Sequence, residues 1–169
     1  MNNDARIATL RPATIDDLDE IVALVVEFAK RGDLLPRSAE SIRLTIDDWV
    51  LALLDDEIVG IGSLLQYTPI LAEVRSLAVS DSAQGFGFGR KIVNALVEMA
   101  RGRNIPTVFA LTRAVPFFLK CGFTVTEKEN FPEKIWHACR LCPIQDNCDE
   151  IAVVLPLEVA KTPEYISIS

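Results

Sequence analysis

The sequence predicts a mixed α/β fold in a single domain, on three observations. The chain has 169 residues, 50% of them hydrophobic, which suits one sizeable core. Its glycines and prolines fall singly between periodic segments, with neither repeats nor a low-complexity linker. Segments with the period of strands alternate with segments of helical period, and one glycine-rich loop joins a strand to a helix. We therefore expect one domain at residues 1–160 and a frayed tail at 161–169.

The first half of the chain predicts two helices and three strands. Thr14, with Asp17 three residues later, is a start signal for an amphipathic helix, and Ser38 is placed to cap a second helix. An acidic turn at 55–57 separates two apolar segments, which predicts a hairpin. In chain order we expect a strand at 7–10, helices at 18–28 and 38–44, and strands at 49–54 and 58–67.

The second half predicts a long strand, the glycine-rich loop and a strong amphipathic helix, followed by shorter elements. The helix carries Ile92, Leu96, Val97 and Ala100 on one face and ends near Gly102. In chain order we expect a strand at 72–79, a loop at 80–88, the long helix, a buried strand at 108–111, a short helix at 115–121, and strands at 123–127 and 151–157.

Composition narrows the class of partner. The net charge is −7 and no cluster of Lys and Arg is present, which argues against a nucleic-acid or anionic-membrane surface. The apolar runs are far shorter than the roughly 20 residues of a membrane-spanning helix. Residues 1–11 are polar and lack the plan of a signal peptide. We expect a cytoplasmic protein that acts on a small molecule, and a homodimer stays open.

The glycine-rich loop is Gln84-Gly85-Phe86-Gly87-Phe88-Gly89-Arg90. Between a strand and a helix, its backbone N–H groups and the helix dipole form an anion site suited to phosphate. A Walker loop is excluded because no Lys-Ser/Thr pair follows, and the glycine spacing does not fit G-x-G-x-x-G of dinucleotide-binding folds. A turn without a ligand stays open.

The loop resembles the pyrophosphate loop Q/R-x-x-G-x-G/A of the GNAT acetyltransferase superfamily, with Gln84, Gly87 and Gly89 at the matching positions. The segment 117–123, Phe-Phe-Leu-Lys-Cys-Gly-Phe, resembles the later F-Y/F-x-K-x-G-F segment of that superfamily. The resemblance implies a mixed, mostly antiparallel sheet of about six to seven strands with splayed central strands, flanked by helices. It also implies acetyl transfer from acetyl-CoA to an amine. The implied coenzyme contacts are Leu77, Ala78 and Val79 on the strand, Gln84 to Arg90 in the loop, and Phe118.

Within the superfamily the chain is most similar to the acetyltransferase domain of N-acetylglutamate synthases, in the short form that lacks an amino-acid-kinase domain. The stretches 35–38, 72–79, 108–112 and 131–136 carry this resemblance. It implies an amino-acid substrate, with glutamate as the first candidate and a role in arginine biosynthesis. The chain departs from the synthases where they carry a basic residue near the C-terminus, because Cys148-Asp149-Glu150 stands there.

Acetyl transfer needs a base for the amine proton and donors for the oxyanion and the departing thiolate. Glu73 is the candidate base. Regular alternation of side chains along the predicted strand 72–79 would place it on one face with Arg75, Leu77 and Val79. A surface ion pair with Arg75 is the alternative. Many GNAT enzymes carry a tyrosine as the thiolate donor where this chain has Phe118, which has no proton to give. Thr112 stands where the synthases carry a Ser or Thr, so the resemblance implies that it is a donor, with water or a purely structural Thr112 left open.

Carboxylates of an amino acid would be held by cations, best by arginine. Arg37 matches a carboxylate-binding arginine of the synthases. Arg75, Arg113 and Lys134 are further candidates, with solvated surface charge as the alternative for each.

The cysteines leave three interpretations open. His137, Cys139, Cys142 and Cys148 could hold a structural zinc, although the pattern has only one C-x-x-C pair. They could instead be packing thiols or form a disulfide under oxidation. Cys121 is expected in the core.

The functional alternatives are an acetyltransferase for another small amine and a non-catalytic module that senses acetyl-CoA.

Overall fold

The computed structural model describes residues 6–131 and 150–158, and each helix and strand predicted from the sequence is present there. The predicted tail at 161–169 lies outside this range. The strands are β1 (Ala8–Pro12), β2 (Trp49–Leu54), β3 (Glu57–Thr68), β4 (Leu71–Val79), β5 (Thr107–Thr112), β6 (Thr124–Thr126) and β7 (Ile151–Pro156). The helices are α1 (Leu18–Lys30), α2 (Ala39–Leu44), α3 (Phe88–Gly102) and α4 (Val115–Lys120).

Local signals place these boundaries. The backbone N–H and hydroxyl of Thr14 both donate to Asp17, which closes the turn before α1. The Ser38 hydroxyl accepts the Ser41 N–H at the start of α2, as the sequence predicts. Asp55 and Asp56 have φ of 52° and 67°, the left-handed pair that a tight turn between β2 and β3 needs.

A single seven-stranded sheet, in the order β1-β2-β3-β4-β5-β7-β6, organises the structure. All neighbouring strands are antiparallel except β4 and β5, which are parallel. Helices α1 and α2 pack on one face, where Ile21, Phe28 and Ile42 are buried. Helix α3 covers the other face through Ile92 and Leu96. The predicted fold class, a mixed and mostly antiparallel sheet flanked by helices, is confirmed.

The two parallel strands separate after three residue pairs. Their ladder joins Leu71 to Thr107, Ala72 to Val108 and Glu73 to Phe109, and then ends. Strand β4 continues to Val79, while β5 stays paired with β7 through Thr112. The sheet therefore opens between β4 and β5 immediately beyond Glu73, which confirms the predicted splay.

The prediction that Glu73, Arg75, Leu77 and Val79 share one face of β4 is wrong, because the strand contains a β-bulge. Ser63 pairs with Arg75 and Ile61 pairs with Ala78, so Ser76 and Leu77 together oppose Gly62. Past the bulge, Leu77 and Val79 pack on the α3 side of the sheet, in the same cluster as Ala72 and Val74. Glu73 therefore does not share a face with Leu77 and Val79.

Among the described residues, no helix combines the length and the apolar character that crossing a membrane requires.

Candidate active site

A cavity of about 300 Å³ occupies the gap between the separated strands. Charged and polar side chains from several elements meet in it. Glu73 and Arg75 come from β4, Thr112 ends β5, and Arg37 comes from the segment between α1 and α2. Arg113, Asp33 and Glu150 also line this cavity, which we call the cleft. The structure thus brings together five of the six predicted catalytic and substrate-binding residues in one place.

Glu73 is a buried carboxylate, with 2% of its surface exposed. Its Oε1 accepts a hydrogen bond from the Tyr67 hydroxyl at 2.9 Å. Burial and the neighbouring Glu73 charge raise the pKa of Tyr67, so the phenol keeps its proton and stays a donor. Such burial does not fit the alternative of a surface ion pair with Arg75. A carboxylate held in a cleft in this way is placed to accept a proton.

Arg37 is held by the bulge of β4. Its Nε–H donates to the Ser76 hydroxyl at 2.8 Å. Ser76 has a φ of 54°, a left-handed conformation that is uncommon for a residue other than glycine. Burial, with the nearby Arg75 charge second, lowers the pKa of Arg37 to about 10, so the guanidinium remains charged at neutral pH. This contact uses Nε alone, so it leaves the donors of the two terminal nitrogens outside the hydrogen bond to Ser76.

Arg75 is the second cation that lines the cleft. Its Nε is buried and has no hydrogen-bond partner among the described residues. The guanidiniums of Arg75 and Arg37 lie close enough for the Arg75 charge to affect the pKa of Arg37. Two neighbouring like charges, one with a buried donor unsatisfied, favour an anion in the space between them.

Thr112 and Arg113 lie at the end of β5. Thr112 is buried, and its hydroxyl oxygen accepts the Ala114 N–H at 2.8 Å. A hydroxyl that accepts one hydrogen bond keeps its own proton to donate, so this contact is compatible with a donor role. Arg113 is exposed and donates to the Gly32 carbonyl at 3.3 Å. Lys134, the remaining predicted cation, lies outside the described residues.

A second cavity, of about 460 Å³, adjoins the cleft at the glycine-rich loop. Leu77 and Phe117 line both cavities, so the two are direct neighbours. Nine of the predicted coenzyme contacts line this loop cavity: Leu77, Ala78, Val79, Gln84, Gly85, Gly87, Phe88, Gly89 and Arg90. Phe86 and Phe118 do not, because the Phe86 ring is exposed and Phe118 packs in the core against Phe117 and Phe123.

The loop fits a pyrophosphate. Gly85 and Gly87 have φ of 91° and 73°, and a Cβ built at either would meet no heavy atom within 4 Å. Their backbones therefore face open space that a ligand can approach closely. The first hydrogen bond inside α3 comes from Lys91 N to Gly87 O, which leaves the amides of residues 88–90 for an anion. The Gln84 side chain donates to Val79 O at 3.1 Å and closes the loop onto β4.

Several residues of the two cavities were missed by the sequence analysis. Tyr67 was missed as well: it contacts Glu73 without being one of the residues that line the cleft, and its only sequence signal was its place six residues before Glu73 across a hairpin turn. Phe117, Lys120, Cys121 and Ala83 line the loop cavity. Cys121, expected in the core, is half-buried, and burial raises the pKa of its thiol. The proposed zinc ligands His137, Cys139, Cys142 and Cys148 lie outside the described residues.

Residues 20–123 match the sequence profile of the Acetyltransferase (GNAT) family. This match covers the glycine-rich loop, both separated strands and the segment 117–123. The chain belongs to the GNAT family. It is therefore an N-acetyltransferase, and GNAT chemistry is the transfer of an acetyl group to an amine.

Individual relatives refine the comparison. An uncharacterized N-acetyltransferase of Chlorobaculum tepidum is 36% identical over 148 residues, which is 88% of this chain and 96% of that protein. An amino-acid acetyltransferase of Neisseria meningitidis is 30% identical over 127 residues, 74% of this chain but 29% of that enzyme. N-acetylglutamate synthase of Neisseria gonorrhoeae, solved with coenzyme A and N-acetyl-glutamate, has a TM-score of 0.79 at 27% identity. That match covers 90% of this chain and 35% of the synthase chain, so this GNAT domain spans only part of both Neisseria enzymes.

Proposed function

We propose that this protein acetylates the α-amine of an amino acid that carries a carboxylate, with glutamate as the first candidate and a role in arginine biosynthesis in the cytoplasm. The observation that carries the proposal is the arginine pair, Arg37 and Arg75, in the same cleft as Glu73. The amino-acid acetyltransferases among the relatives support the same substrate class.

The arginine pair, rather than the net charge of the cleft, favours a substrate that carries a carboxylate, because three acidic side chains line the cleft beside its three arginines. A buried donor without an acceptor, as at Arg75 Nε, costs about 1–3 kcal/mol, and a bound carboxylate would offset that cost. Arginine holds carboxylates through two parallel hydrogen bonds, which suits the terminal nitrogens of Arg37. An amine without a carboxylate would give neither guanidinium an anionic acceptor.

Arg75 is a candidate for the second carboxylate of glutamate. The synthases are similar to this chain at Arg37 but carry a basic residue near the C-terminus where Cys148-Asp149-Glu150 stands. In the described part of the chain, Arg75 is the cation whose charge acts on Arg37. Lys134 and Arg113 are the other candidates for this role. Arg37 and Arg75 together would supply the two contacts that a dicarboxylic amino acid requires.

Other residues of the chain would accept the amine proton, donate to the oxyanion or sulfur, and hold the coenzyme. Glu73 would take the proton of the amine, and the Thr112 hydroxyl would donate to the oxyanion or to the departing sulfur. The loop from Gln84 to Arg90 and the β4 segment 77–79 would hold acetyl-CoA, which supplies the thioester carbonyl when bound. Phe118 lines the cleft but has no proton to give.

The test is a panel of amines. The purified protein is incubated with acetyl-CoA and each common amino acid, and the release of free thiol is followed. We expect glutamate to give the highest kcat/KM, aspartate and glutamine lower values, and N-acetyl-glutamate, which has no free amine, no turnover. Turnover of an uncharged amine in preference to every acidic amino acid would reject the proposed substrate while leaving the family unchanged.

A further inference from the structure

We infer that Tyr67 is a positioning residue for acetyl transfer: its hydroxyl donates to Oε1 of Glu73 and fixes the orientation of that carboxylate for its reaction with the amine of the substrate. The inference rests on the proposed role of Glu73 as the base. It adds a residue that neither the loop motif nor the separated strands predict. The contact that carries it is the hydrogen bond from Tyr67 to Glu73 at 2.9 Å.

Tyr67 lies at a β-bulge between β3 and β4. Gln66 pairs with Ala72 and Thr68 pairs with Leu71, so Tyr67 is an extra residue of β3 with no partner in β4. A bulge bends the strand and re-aims the side chain of the extra residue. In a regular ladder Leu65 is the residue opposite Glu73, and Tyr67 lies two positions further along β3. From this position the Tyr67 hydroxyl reaches Oε1 of Glu73.

Aromatic packing fixes the Tyr67 ring. Its centroid lies 6.0 Å from that of Phe109, and the Phe109 ring stacks on Phe131 at 4.2 Å with an interplanar angle of 4°. Phe109 and Phe131 are buried in one cluster with Leu71, and Tyr67 packs against it. Because the ring cannot swing freely, its hydroxyl holds Oε1 at a defined point and restricts rotation of the Glu73 carboxylate.

The charges around Glu73 assign Tyr67 the role of donor. Tyr67 faces the carboxylate from β3, Arg75 lies on the same strand, and Arg37 approaches from the segment before α2. A buried carboxylate requires donors to remain charged, and a neutral phenol supplies one without adding charge to the cleft. The pKa of Tyr67 is raised by burial, then by Glu73, so the phenol remains protonated through the neutral range.

The test compares Tyr67→Phe with the unmodified protein on glutamate, or on whichever amine the panel identifies. We expect kcat to fall about 10- to 100-fold, the range for losing a hydrogen bond to a charged group, while KM changes little. The acid limb of the kcat profile should move to higher pH, because a carboxylate that loses a donor is protonated more easily. An unmoved pH profile, or a loss expressed only in KM, would overturn the inference.

Glu73→Gln provides the control background. If Tyr67 acts through Glu73, the double variant Tyr67→Phe/Glu73→Gln should be no slower than Glu73→Gln alone. An equal further loss in that background would assign Tyr67 to general stability and overturn the inference. Full activity of Glu73→Gln would reject Glu73 as the base and the role of Tyr67 with it. If Glu73→Gln loses activity but Tyr67→Phe does not, only the role of Tyr67 is rejected. Should Tyr67→Phe fold poorly, Phe109→Leu, which loosens the ring but keeps the phenol, should show a smaller loss that also vanishes in Glu73→Gln.

Discussion

At the scale of single residues, the cleft contains charged groups that are buried or held in unfavourable conformations. Glu73 is almost fully buried, and Arg37 is held by a serine in a left-handed conformation. Arg75 has a buried nitrogen without a hydrogen-bond partner among the described residues. Each of these features costs stability on its own. A bound ligand that pairs with these groups would offset part of that cost.

Arg37 should contribute to the choice of substrate. Its truncation to alanine removes a charge-assisted pair, so we expect KM for glutamate to rise about 10- to 100-fold. KM for glutamine, which lacks the side-chain carboxylate, should change by much less. Steady-state kinetics on both amino acids measure the difference. Arg43→Ala, which removes an exposed arginine paired with Glu40 on α2, is the matched control and should leave both KM values unchanged.

Equal increases on glutamate and glutamine would contradict this role. They would mean that Arg37 holds the α-carboxylate, which both amino acids share, or that it supports the fold through Ser76.

At the scale of elements, backbone irregularities position the functional groups. The bulge at Ser76 and Leu77 precedes the end of β4 that lines the loop cavity, and a second bulge contains Tyr67, whose phenol donates to Glu73. The loop itself depends on glycines in the left-handed region, ahead of the unpaired amides of α3. These features account for a site whose residues are far apart in the chain.

The glycine-rich loop can be tested with a matched pair of variants. Gly87→Leu would place a side chain in the open space of the loop cavity and block close approach of the pyrophosphate. Gly32→Leu introduces similar backbone strain, since Gly32 has φ of 79° and open space around it, but lies outside that cavity. We expect calorimetry to show acetyl-CoA affinity reduced about 10-fold or more in Gly87→Leu alone. Equal affinities in both variants would count against the loop as the coenzyme site.

The turn before α1 should make stability depend on pH. Arg11 donates two hydrogen bonds to Asp17, and with Thr14 it lowers the pKa of Asp17 to about 2. Because the folded pKa lies below the unfolded value, the contribution is present above about pH 4 and is lost as pH falls toward 2. After allowance for the exposed Arg11, we expect Asp17→Asn to lower the free energy of unfolding by about 1–2 kcal/mol at pH 7.

Urea unfolding at pH 7 and at about pH 2.5 checks this prediction, because the difference between Asp17→Asn and the unmodified protein should shrink by more than half at the lower pH. Asp16→Asn, one position earlier and exposed, is the control. A difference that stays the same at both pH values would show that Asp17 acts through packing rather than charge.

At the scale of the whole molecule, the sequence predicted the elements well and the cleft less completely. Hydrophobic period and caps such as Ser38 are local signals, so helices and strands were placed correctly. The splay of β4 from β5 followed from family resemblance, because no local pattern shows where a parallel ladder ends. The extra residues at Tyr67 and Ser76 were missed, since a period of two continues through a bulge without any visible break.

We propose that Glu73, in the cleft between β4 and β5, is the base for acetylation of an amino acid. The most direct measurement is kcat of Glu73→Gln on glutamate, together with its affinity for acetyl-CoA by calorimetry. We predict that kcat falls by about two decades or more, since a positioned base contributes about 10²–10⁴-fold, while the coenzyme affinity stays unchanged. A loss smaller than about threefold at neutral pH would contradict the claim and leave Glu73 a structural residue.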